Sequence, residues 1–375
     1  MSGLLKLISV IAPPPAAPMS REYDGLEYRW KIFAFRPAVF QFEAAVLGIV
    51  GIYLLTYFMG KYINNGRAKS LIAPYQSFLS NQFTTIRPLL SSSPSLHLLY
   101  ATGRRNLLSL HTTLSLLPIH DVAGLAIHFV KSIIEPTYNG GENLIFDYTL
   151  GRGELGLQGE GLGVWAVVDK SALRETREKR WDLTFPRLTD SSSLPITHAL
   201  FTEHVEITDL LLKTPNIGIS EVINDQEAAS LLKYLLISDV TDVRPSKGPM
   251  SPKYKSRHVI LSLYKPSTPS QVEAVKAWVQ VSLNIVDLLS KQNLLKPEIS
   301  RKLIKTRSTV DEELSKDFKK EQDEDKEPEE TAEEKRAARK KAEREKMSEK
   351  ERKKLEDLDK KREMRKLQKK QASGR

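Results

Sequence analysis

An uncharged apolar stretch of 17 residues, Ala44 to Gly60, separates Glu43 from Lys61. About 20 apolar residues, each rising about 1.5 Å, cross the roughly 30 Å hydrocarbon core of a bilayer. A helix is the favoured form there because it satisfies its own backbone polar groups. A buried helix of a soluble domain is the alternative, but it usually carries polar residues at regular intervals. We therefore predict a transmembrane helix over residues 38–60, with membrane-anchoring side chains Val46, Leu47, Ile49, Val50, Ile52, Leu54, Leu55 and Phe58.

The flanks of this segment define its ends but not its direction. Tyr57 and Tyr62, together with Lys61, form a belt typical of a membrane interface. Basic residues lie on both sides of the span, so the positive-inside bias does not fix the orientation. The apolar patch Leu4 to Ile11 is interrupted by a lysine and makes a weak signal peptide. We interpret 38–60 as an uncleaved signal-anchor.

Composition limits the rest of the chain. The 375 residues are 40% hydrophobic, which suits one medium domain with appendages and no second span. The chain contains no cysteine. This excludes disulfide scaffolds, thiolate zinc sites and cysteine nucleophiles, and it agrees with a reducing compartment for most of the mass.

Residues 61–135 have the pattern of a helix, a hairpin and a second helix. Asn64 to Gly66 predict a turn, followed by a helix through Phe83 that Pro74 breaks or kinks. Alternation around Tyr100 and across the turn predicts an antiparallel hairpin. Asp121 can cap the next helix. We expect four apolar residues of that helix to face inward: Val122, Leu125, Phe129 and Ile133.

Residues 136–296 continue with strands and amphipathic helices. The apolar residues of 144–150 predict one strand and 162–168 another, joined as a second hairpin by a glycine-rich connection. A charged helix begins at Asp169 or Ser171, and Asn224 with Glu227 resembles a capping box. Two further strands are predicted: Leu236 to Val240 and His258 to Tyr264.

The strongest local signal of the chain is the segment 268–271. Thr268 suits an N-cap, proline suits the first helical position, and Gln271 completes a capping box. The helix that follows carries a broad apolar face around Trp278. Hairpins combined with segregated helices predict an α+β domain over 61–296 with antiparallel sheet.

Candidate catalytic and ligand sites are weak. Residues 151–156 spell the dinucleotide fingerprint Gly-x-Gly-x-x-Gly, but an apolar strand follows where phosphate binding needs a helix. A flexible hairpin connection is the better interpretation. The seven histidines show no zinc-ligand spacing, and no nucleophile elbow or Walker loop occurs. We predict no catalytic residue, no metal and no cofactor.

The C-terminal region is divided into charge blocks. Residues 311–334 hold 13 Asp or Glu against 4 Lys or Arg, and residues 335–375 hold 19 Lys or Arg against 8 Asp or Glu. Acid–base pairs one helical turn apart, such as Glu349 with Lys353, are each worth about 0.2–0.5 kcal/mol. We predict an acidic mobile linker over 297–334 and a long basic helix over 335–375.

The basic block has the charge density to bind a polyanion. It suits phosphate contacts without base readout. Anionic lipid is the rival ligand, but lipid-binding clusters usually lie beside a span, and this block is far from it in sequence. A self-pairing coiled coil is a further alternative, although the apolar residues here keep no heptad spacing. The predicted ribosome- and RNA-binding residues are Lys335, Arg336, Arg339, Lys340, Lys341, Arg344, Lys346, Lys350, Arg352, Lys353, Lys354, Lys360, Lys361, Arg362, Arg365, Lys366, Lys369 and Lys370.

Several short motifs resemble a known family. They are Tyr100-Ala101-Thr102-Gly103-Arg104, Lys170-Ser171-Ala172-Leu173-Arg174, Leu231-Leu232-Lys233-Tyr234 running into Ile237-Ser238-Asp239, the strand Arg257 to Tyr264, and the basic tail. From about Gly60 to the C-terminus, the chain resembles the coiled-coil domain-containing protein 47 family, the coiled-coil subunit of the PAT complex.

The resemblance implies a non-enzymatic protein at the ribosome-bound translocon of the endoplasmic reticulum. Members of that family act with a small membrane partner, Asterix, and help multi-pass proteins insert and fold. The resemblance also implies a lumenal N-terminus, here the short segment 1–37, and a cytosolic C-terminus. This chain lacks the acidic lumenal tract that animal members associate with calcium, so calcium binding is not carried over.

These inferences combine into one predicted function. We expect a single-pass scaffold and intramembrane chaperone subunit, with a cytosolic α+β domain and a tail that contacts ribosomal RNA near the tunnel exit. Its expected partners are the ribosome, Asterix, translocon components and the membrane, with no small-molecule substrate. The alternative is a membrane tethering or shaping protein whose basic tail binds anionic lipid.

Overall fold

The computed structural model describes residues 25–31, 33–135, 138, 141–151, 162–251, 255–291, 294–345 and 364. The glycine-rich connection at 152–161 lies outside these ranges, as do residues 1–24 and, apart from Met364, the tail beyond 345.

A large antiparallel sheet forms the centre of the described domain. It has ten strands in the order β3-β5-β6-β7-β12-β11-β8-β10-β9, and β4 pairs with β5 off this path. A separate two-stranded hairpin, β1 with β2, precedes it. The strands are β1 (Tyr28–Trp30), β2 (Phe33–Phe35), β3 (Thr85–Ile86), β4 (Leu90–Ser93), β5 (Leu96–Thr102), β6 (Leu107–Ser115), β7 (Asn143–Leu150), β8 (Trp165–Asp169), β9 (Arg187–Thr189), β10 (His198–Thr202), β11 (Leu232–Ser238) and β12 (Arg257–Tyr264).

The helices lie between and after these strands. Short 3₁₀ turns occur at Pro37–Phe40 and Trp181–Thr184. The α-helices are α1 (Gln41–Gln82), α2 (Val122–Ile134), α3 (Leu173–Lys179), α4 (Val205–Lys213), α5 (Ile219–Asn224), α6 (Gln226–Leu231), α7 (Pro269–Leu289) and α8 (Pro297–Glu345).

The main core contains one side of the sheet and helix α7. Trp278 of α7 is fully buried, and its indole N–H donates to the Ala228 carbonyl at 2.9 Å. β7 alternates between buried and half-buried residues, as expected for a strand with one covered face. β8, β10 and β11 are buried on both faces, because a smaller apolar cluster around Phe201 covers their other side. The domain is therefore layered α+β.

Several predictions from local sequence are confirmed. The chain mixes helices with an antiparallel sheet, and the hairpin of β5 and β6 forms with Tyr100 opposite His111. Thr268 caps α7, and the reciprocal bond of Gln271 completes the capping box. Asp121 caps α2 by accepting from the Ala123 N–H at 3.1 Å. Each of these features depends on residues close together in the chain.

The predicted second hairpin is wrong. β7 and β8 are not neighbours: β7 lies between β6 and β12, and β8 lies between β11 and β10. The strand β12, more than 80 residues after β8 begins, inserts beside β7 and pairs along its whole length. Alternation predicted the covered face of β7 correctly, but it contains no information about the partner strand.

The predicted turn at Asn64–Gly66 is also wrong. Helix α1 runs without interruption through these residues and through Pro74. The Asn64 amide, which competes with helix when free, instead donates to the Leu117 carbonyl at 2.8 Å, 53 residues away. Tertiary bonding therefore overrides the local turn signal.

Some element boundaries shift by a few residues. α3 begins at Leu173, after both predicted starts, and β8 begins at Trp165 and not at Leu162. β11 begins at Leu232, earlier than predicted. Asp225, and not Asn224, caps α6, because its carboxylate accepts from the Ala228 N–H at 3.1 Å.

The predicted inward face of α2 is wrong. Val122, Leu125, Phe129 and Ile133 are all exposed, and no residue of this helix is buried. The polar side of the helix is the side that contacts the domain, through Gly124 and His128.

The described chain divides into two compact units. The first holds every strand, helices α1 to α7 and the start of α8 as far as Ile304. The second holds Pro245–Met250 and the helix from Lys305 onward, and within it Gly248 lies beside the Phe318 ring. The segment 297–334, predicted as a linker, is helical throughout, including Pro328.

Candidate membrane anchor and its junction with the domain

The first half of α1 is apolar and uncovered. None of the most apolar 18-residue window of this helix is buried, so it is not the core helix of a soluble domain. The predicted anchor residues are all exposed, and Leu47 reaches 70% exposure. The described residues contain one helix that is long enough and apolar enough to cross a bilayer, and it is α1. The eight predicted side chains are Val46, Leu47, Ile49, Val50, Ile52, Leu54, Leu55 and Phe58.

The second half of α1 belongs to the domain. Its buried positions recur every three or four residues and form one stripe along the helix. Tyr75 and Leu79 in this stripe are almost fully buried in the main core. One continuous helix therefore carries the apolar segment into the folded domain without a flexible joint. The stripe is Gly60, Asn64, Ala68, Ile72, Tyr75 and Leu79.

A polar cluster fastens α1 to the sheet. Arg67 donates to Asn64 Oδ1 at 3.2 Å and to Glu142 Oε1 at 2.6 Å. Glu142 also accepts from the Leu117 backbone N–H at 3.2 Å and from Lys265 Nζ at 2.8 Å. The carboxylate thus joins α1, the segment after β6 and the segment after β12. We call Asn64, Arg67, Leu117, Glu142 and Lys265 the junction cluster.

The junction cluster sets the ionisation of Glu142. Burial would by itself raise the pKa of this carboxyl group. The hydrogen bonds from Lys265 and the Leu117 N–H, together with the charges of Lys265 and Arg67, outweigh burial and lower the pKa below its ordinary value. Glu142 is therefore ionised at neutral pH. A carboxylate bonded by two cations and a backbone N–H orients all three segments.

Close backbone packing marks the end of the apolar segment. A Cβ at Gly60 would lie 2.5 Å from both Cα and N of His120, so only glycine fits there without a shift. The Tyr57 ring meets the His120 ring edge-on, with centroids 5.7 Å apart. Residues 57–60 therefore contact the chain immediately before α2.

Aromatic residues that the sequence reasoning missed lie just before α1. The β1–β2 hairpin exposes Tyr28, Trp30 and Phe35, with Trp30 at 77% exposure. Phe35 stacks on Phe40 with ring centroids 5.5 Å apart. Exposed aromatic residues at both ends of an apolar helix are typical of membrane interfaces. The local signal is the short alternating aromatic run of residues 28–35.

The predicted RNA-binding residues lie at the end of the chain. Backbone positions 335–345, including Lys335, Arg339 and Arg344, are helical within α8. The remaining predicted positions, from Lys346 to Lys370, lie outside the described residues. The structure therefore provides a helical backbone for the first part of the basic block only.

The other candidate motifs are placed as follows. Residues 152–156 of the glycine motif lie outside the described ranges, but the next described element is the strand β8, as the sequence predicted. His198 is buried, and His258 pairs with Asp147 at 2.7 Å. Among the described residues, no group of three His, Asp or Glu side chains is arranged to hold a metal ion.

Comparison with known proteins agrees with this architecture. The sequence model of the family described as PAT complex subunit CCDC47 matches residues 39–366, which is most of the chain. The chain belongs to this family. Members are PAT complex subunits by that description, which confirms the resemblance inferred from the sequence motifs. The match begins within the 3₁₀ turn before α1 and therefore includes the apolar segment, the domain and most of the basic block.

A curated relative comes from Schizosaccharomyces pombe (strain 972 / ATCC 24843). It is a protein of the UPF0674 group described as an endoplasmic reticulum membrane protein, 28% identical over 220 residues. The alignment covers 55% of this chain and 56% of the relative. This chain thus spans about half the length of the yeast protein that it matches.

Proposed function

We propose that this CCDC47-family chain is a single-pass subunit of the endoplasmic reticulum membrane. It acts without catalysis as a scaffold and intramembrane chaperone for multi-pass proteins at the ribosome-bound translocon. Its N-terminal segment is lumenal, and its domain and tail are cytosolic. Its proposed partners are Asterix, translocon components and ribosomal RNA near the tunnel exit.

The single observation that carries this proposal is the structure of α1 inside the family match. The exposed apolar half of the helix has the length of a membrane span, and the other half is built into the domain core. The yeast relative is described as an endoplasmic reticulum membrane protein, which supports the same compartment for this chain. The junction cluster bonds the helix that carries the anchor to the sheet of the domain, as expected for a scaffold.

The basic block supports the ribosome as partner. Residues 335–375 carry a net charge of +11, and a polycation on a helix binds phosphate backbones by releasing counterions. The helix from residue 305 to residue 345 is about 60 Å long at 1.5 Å per residue. Ribosomes lie on the cytosolic side of the membrane, so this charge supports a cytosolic C-terminus.

Ribosome co-sedimentation of the detergent-solubilised full chain tests the proposal. A variant with half of the Lys and Arg residues of 335–375 replaced by Gln should bind less, and its residual binding should fall less steeply with salt. The matched control shuffles the order of residues 335–375 and keeps their composition. Because phosphate contact needs charge and not sequence, the shuffled tail should bind as the natural tail does.

Three outcomes would contradict the proposed function. Equal binding of natural and neutralised tails across a salt titration would remove the ribosome assignment. In a second outcome, the natural chain floats with anionic liposomes that contain no RNA, and the neutralised variant loses this flotation while its ribosome binding is unchanged. That result would favour the alternative of a lipid-binding tether. Protease protection of the tail inside sealed microsomes would reverse the proposed orientation.

A further inference from the structure

Helix α2 is amphipathic, but its apolar side faces outward, whereas a helix packed on a soluble core turns its apolar side inward. With residues placed 100° apart, its apolar side chains cover an arc of about 200°. The remaining arc contains four other residues. We call these two sides the apolar arc and the polar arc. The apolar arc is Val122, Ala123, Leu125, Ala126, Ile127, Phe129, Val130, Ile133 and Ile134, and the polar arc is Gly124, His128, Lys131 and Ser132.

Gly124 and His128 of the polar arc face the domain, whereas Lys131 and Ser132 are exposed. A Cβ at Gly124 would lie 3.3 Å from Cγ of Pro118, so the helix backbone approaches the preceding segment on this side. His128 Nδ1 is hydrogen-bonded to the Tyr138 hydroxyl, and the ring centroids are 5.9 Å apart. A Cβ at Gly141 would lie 3.4 Å from the His128 ring. Contacts of the domain with α2 therefore involve small and polar groups.

The apolar arc is left without cover. Phe129 is 67% exposed and Ile133 is 68% exposed, and Ile127, Val130 and Ile134 are also exposed. Soluble proteins rarely expose so many large apolar side chains side by side. A helix that presents this arc outward needs an apolar medium or partner against it.

The position of α2 identifies the medium. The helix starts two residues after His120, which contacts Tyr57 and Gly60 at the end of the apolar segment of α1. The apolar arc therefore begins where the exposed apolar surface of the span ends. Thirteen residues make a helix of about 20 Å, too short to cross a roughly 30 Å hydrocarbon core.

We propose that α2 is an interfacial helix that inserts its apolar arc into the bilayer surface beside the span. Its occupant is lipid, with the acyl chains meeting Phe129 and Ile133 at a depth of about 5–10 Å. Lys131 lies on the opposite side of the helix, where its ammonium group can reach water or headgroups. The chain then contacts the membrane at two places, which fixes the rotation of the domain about the span. The proposal rests on the membrane anchor of the proposed function.

The absence of cysteine from the chain allows a direct test with single introduced cysteines. Phe129→Cys and Ile133→Cys report the apolar arc, Lys131→Cys is the matched control on the polar arc, and Ile49→Cys reports the span. All four side chains are exposed, so labelling leaves the core packing unchanged. Each full-length variant carries an environment-sensitive nitrobenzoxadiazole label and is reconstituted into phosphatidylcholine vesicles. Thermal unfolding verifies that each labelled variant is folded.

The measurement is the quenching of label fluorescence by lipids that carry a nitroxide near the headgroup. We expect labels at positions 129 and 133 to be quenched at least about threefold more than the label at 131, since an interfacial helix buries one side only. Aqueous iodide should give the reverse order. The vesicles contain no other protein, so lipid quenching cannot come from a partner.

Each outcome decides between the two proposals. If the label at Ile49→Cys is quenched and the labels at 129 and 133 behave like that at 131, α2 does not enter lipid and the inference is overturned, although the anchor remains. Protection of positions 129 and 133 from both the lipid quencher and iodide would overturn the inference too, and would point to a second copy of this chain as the occupant. If the label at Ile49→Cys is not quenched, the anchor itself fails, and the inference fails with it.

Discussion

Helices α7 and α2 have the same kind of amphipathic sequence and bury opposite sides. In α7 the apolar residues Val275, Trp278 and Val279 are inside the core. In α2 the apolar residues Phe129 and Ile133 are outside, and a histidine and a glycine face the domain. Periodicity thus shows that a helix has an apolar side, but it does not show whether protein or lipid covers that side.

The largest expected difference concerns the two aromatic residues at the centres of these faces. Trp278→Ala should lower the free energy of unfolding of the detergent-solubilised chain by about 3–5 kcal/mol, because it opens a cavity and loses a buried hydrogen bond. Phe129→Ala should change it by less than about 0.5 kcal/mol, because the side chain leaves an exposed site. Equal losses in chemical denaturation would show that α2 is packed like α7.

The second prediction compares the stability contributed by Glu142 in the junction cluster with that of a surface ion pair on α7. Glu142→Gln should cost about 1–3 kcal/mol at neutral pH, since two cations lose their charged partner. Glu273→Gln is the matched control, because Glu273 pairs with Lys276 at the surface of α7 at 2.8 Å, and such pairs are worth about 0–1 kcal/mol. A loss no greater for Glu142→Gln than for the control would show that the junction cluster does not stabilise the fold.

The lowered pKa of Glu142 also predicts a pH dependence. The unfolded chain binds a proton at this site more readily than the folded chain does. The stabilising contribution is therefore fully present above the ordinary glutamate pKa of 4.5, and it is lost as the pH falls through the lower pKa of the folded state. Between pH 6 and pH 3, the natural chain should lose more stability than Glu142→Gln. Parallel denaturation curves over that interval would contradict the lowered pKa.

Two glycines of α1 test whether the start of α2 is fixed against the span. Gly60→Ala should destabilise by about 1–3 kcal/mol, because its Cβ would meet the His120 backbone at 2.5 Å. A Cβ at Gly66 would have no atom within 4 Å, so Gly66→Ala should stabilise the same helix by up to about 1 kcal/mol. Opposite signs in thermal unfolding are expected, and a stabilising Gly60→Ala would show that His120 moves freely.

The smallest expected effects concern the two N-caps. Thr268→Ala should lower global stability by about 1 kcal/mol, because α7 is part of the cooperative core. Asp121→Ala removes an equivalent cap from α2, but this helix packs on little, so the change should appear as faster local amide exchange of residues 122–134. Hydrogen-exchange mass spectrometry separates the two cases, and global loss from Asp121→Ala would contradict the comparison.

Local features of the fold were predictable from the residues. The cap at Thr268, the cap at Asp121 and the alternation of β7 each involve side chains within a few positions of one another. The anchor residues follow from an uncharged run that no soluble core helix explains. The candidate site was therefore visible as a segment. Its junction was not, because Arg67, Glu142 and Lys265 are far apart in sequence.

The errors have a common cause in non-local structure. β12 separates β7 from β8 because backbone pairing is decided by packing across the whole sheet. Asn64 remains helical because the Leu117 carbonyl accepts its amide N–H. The outward face of α2 follows from the contacts of His128 with Tyr138. For β7 and Asn64 a distant partner outweighs a local preference of about 1 kcal/mol or less per residue, and for α2 the partner lies ten residues along the chain, outside the helix itself.

By itself the amino-acid sequence determined the apolar span, the helix caps at Asp121 and Thr268, the alternating strands and the separation of acidic from basic charge, because these depend on neighbours along the chain. Only the tertiary structure decided the strand order, the continuity of α1 into the domain and the side that α2 turns outward. These depend on which distant groups meet, and their energies exist only once the core of the sheet and α7 has brought the groups together.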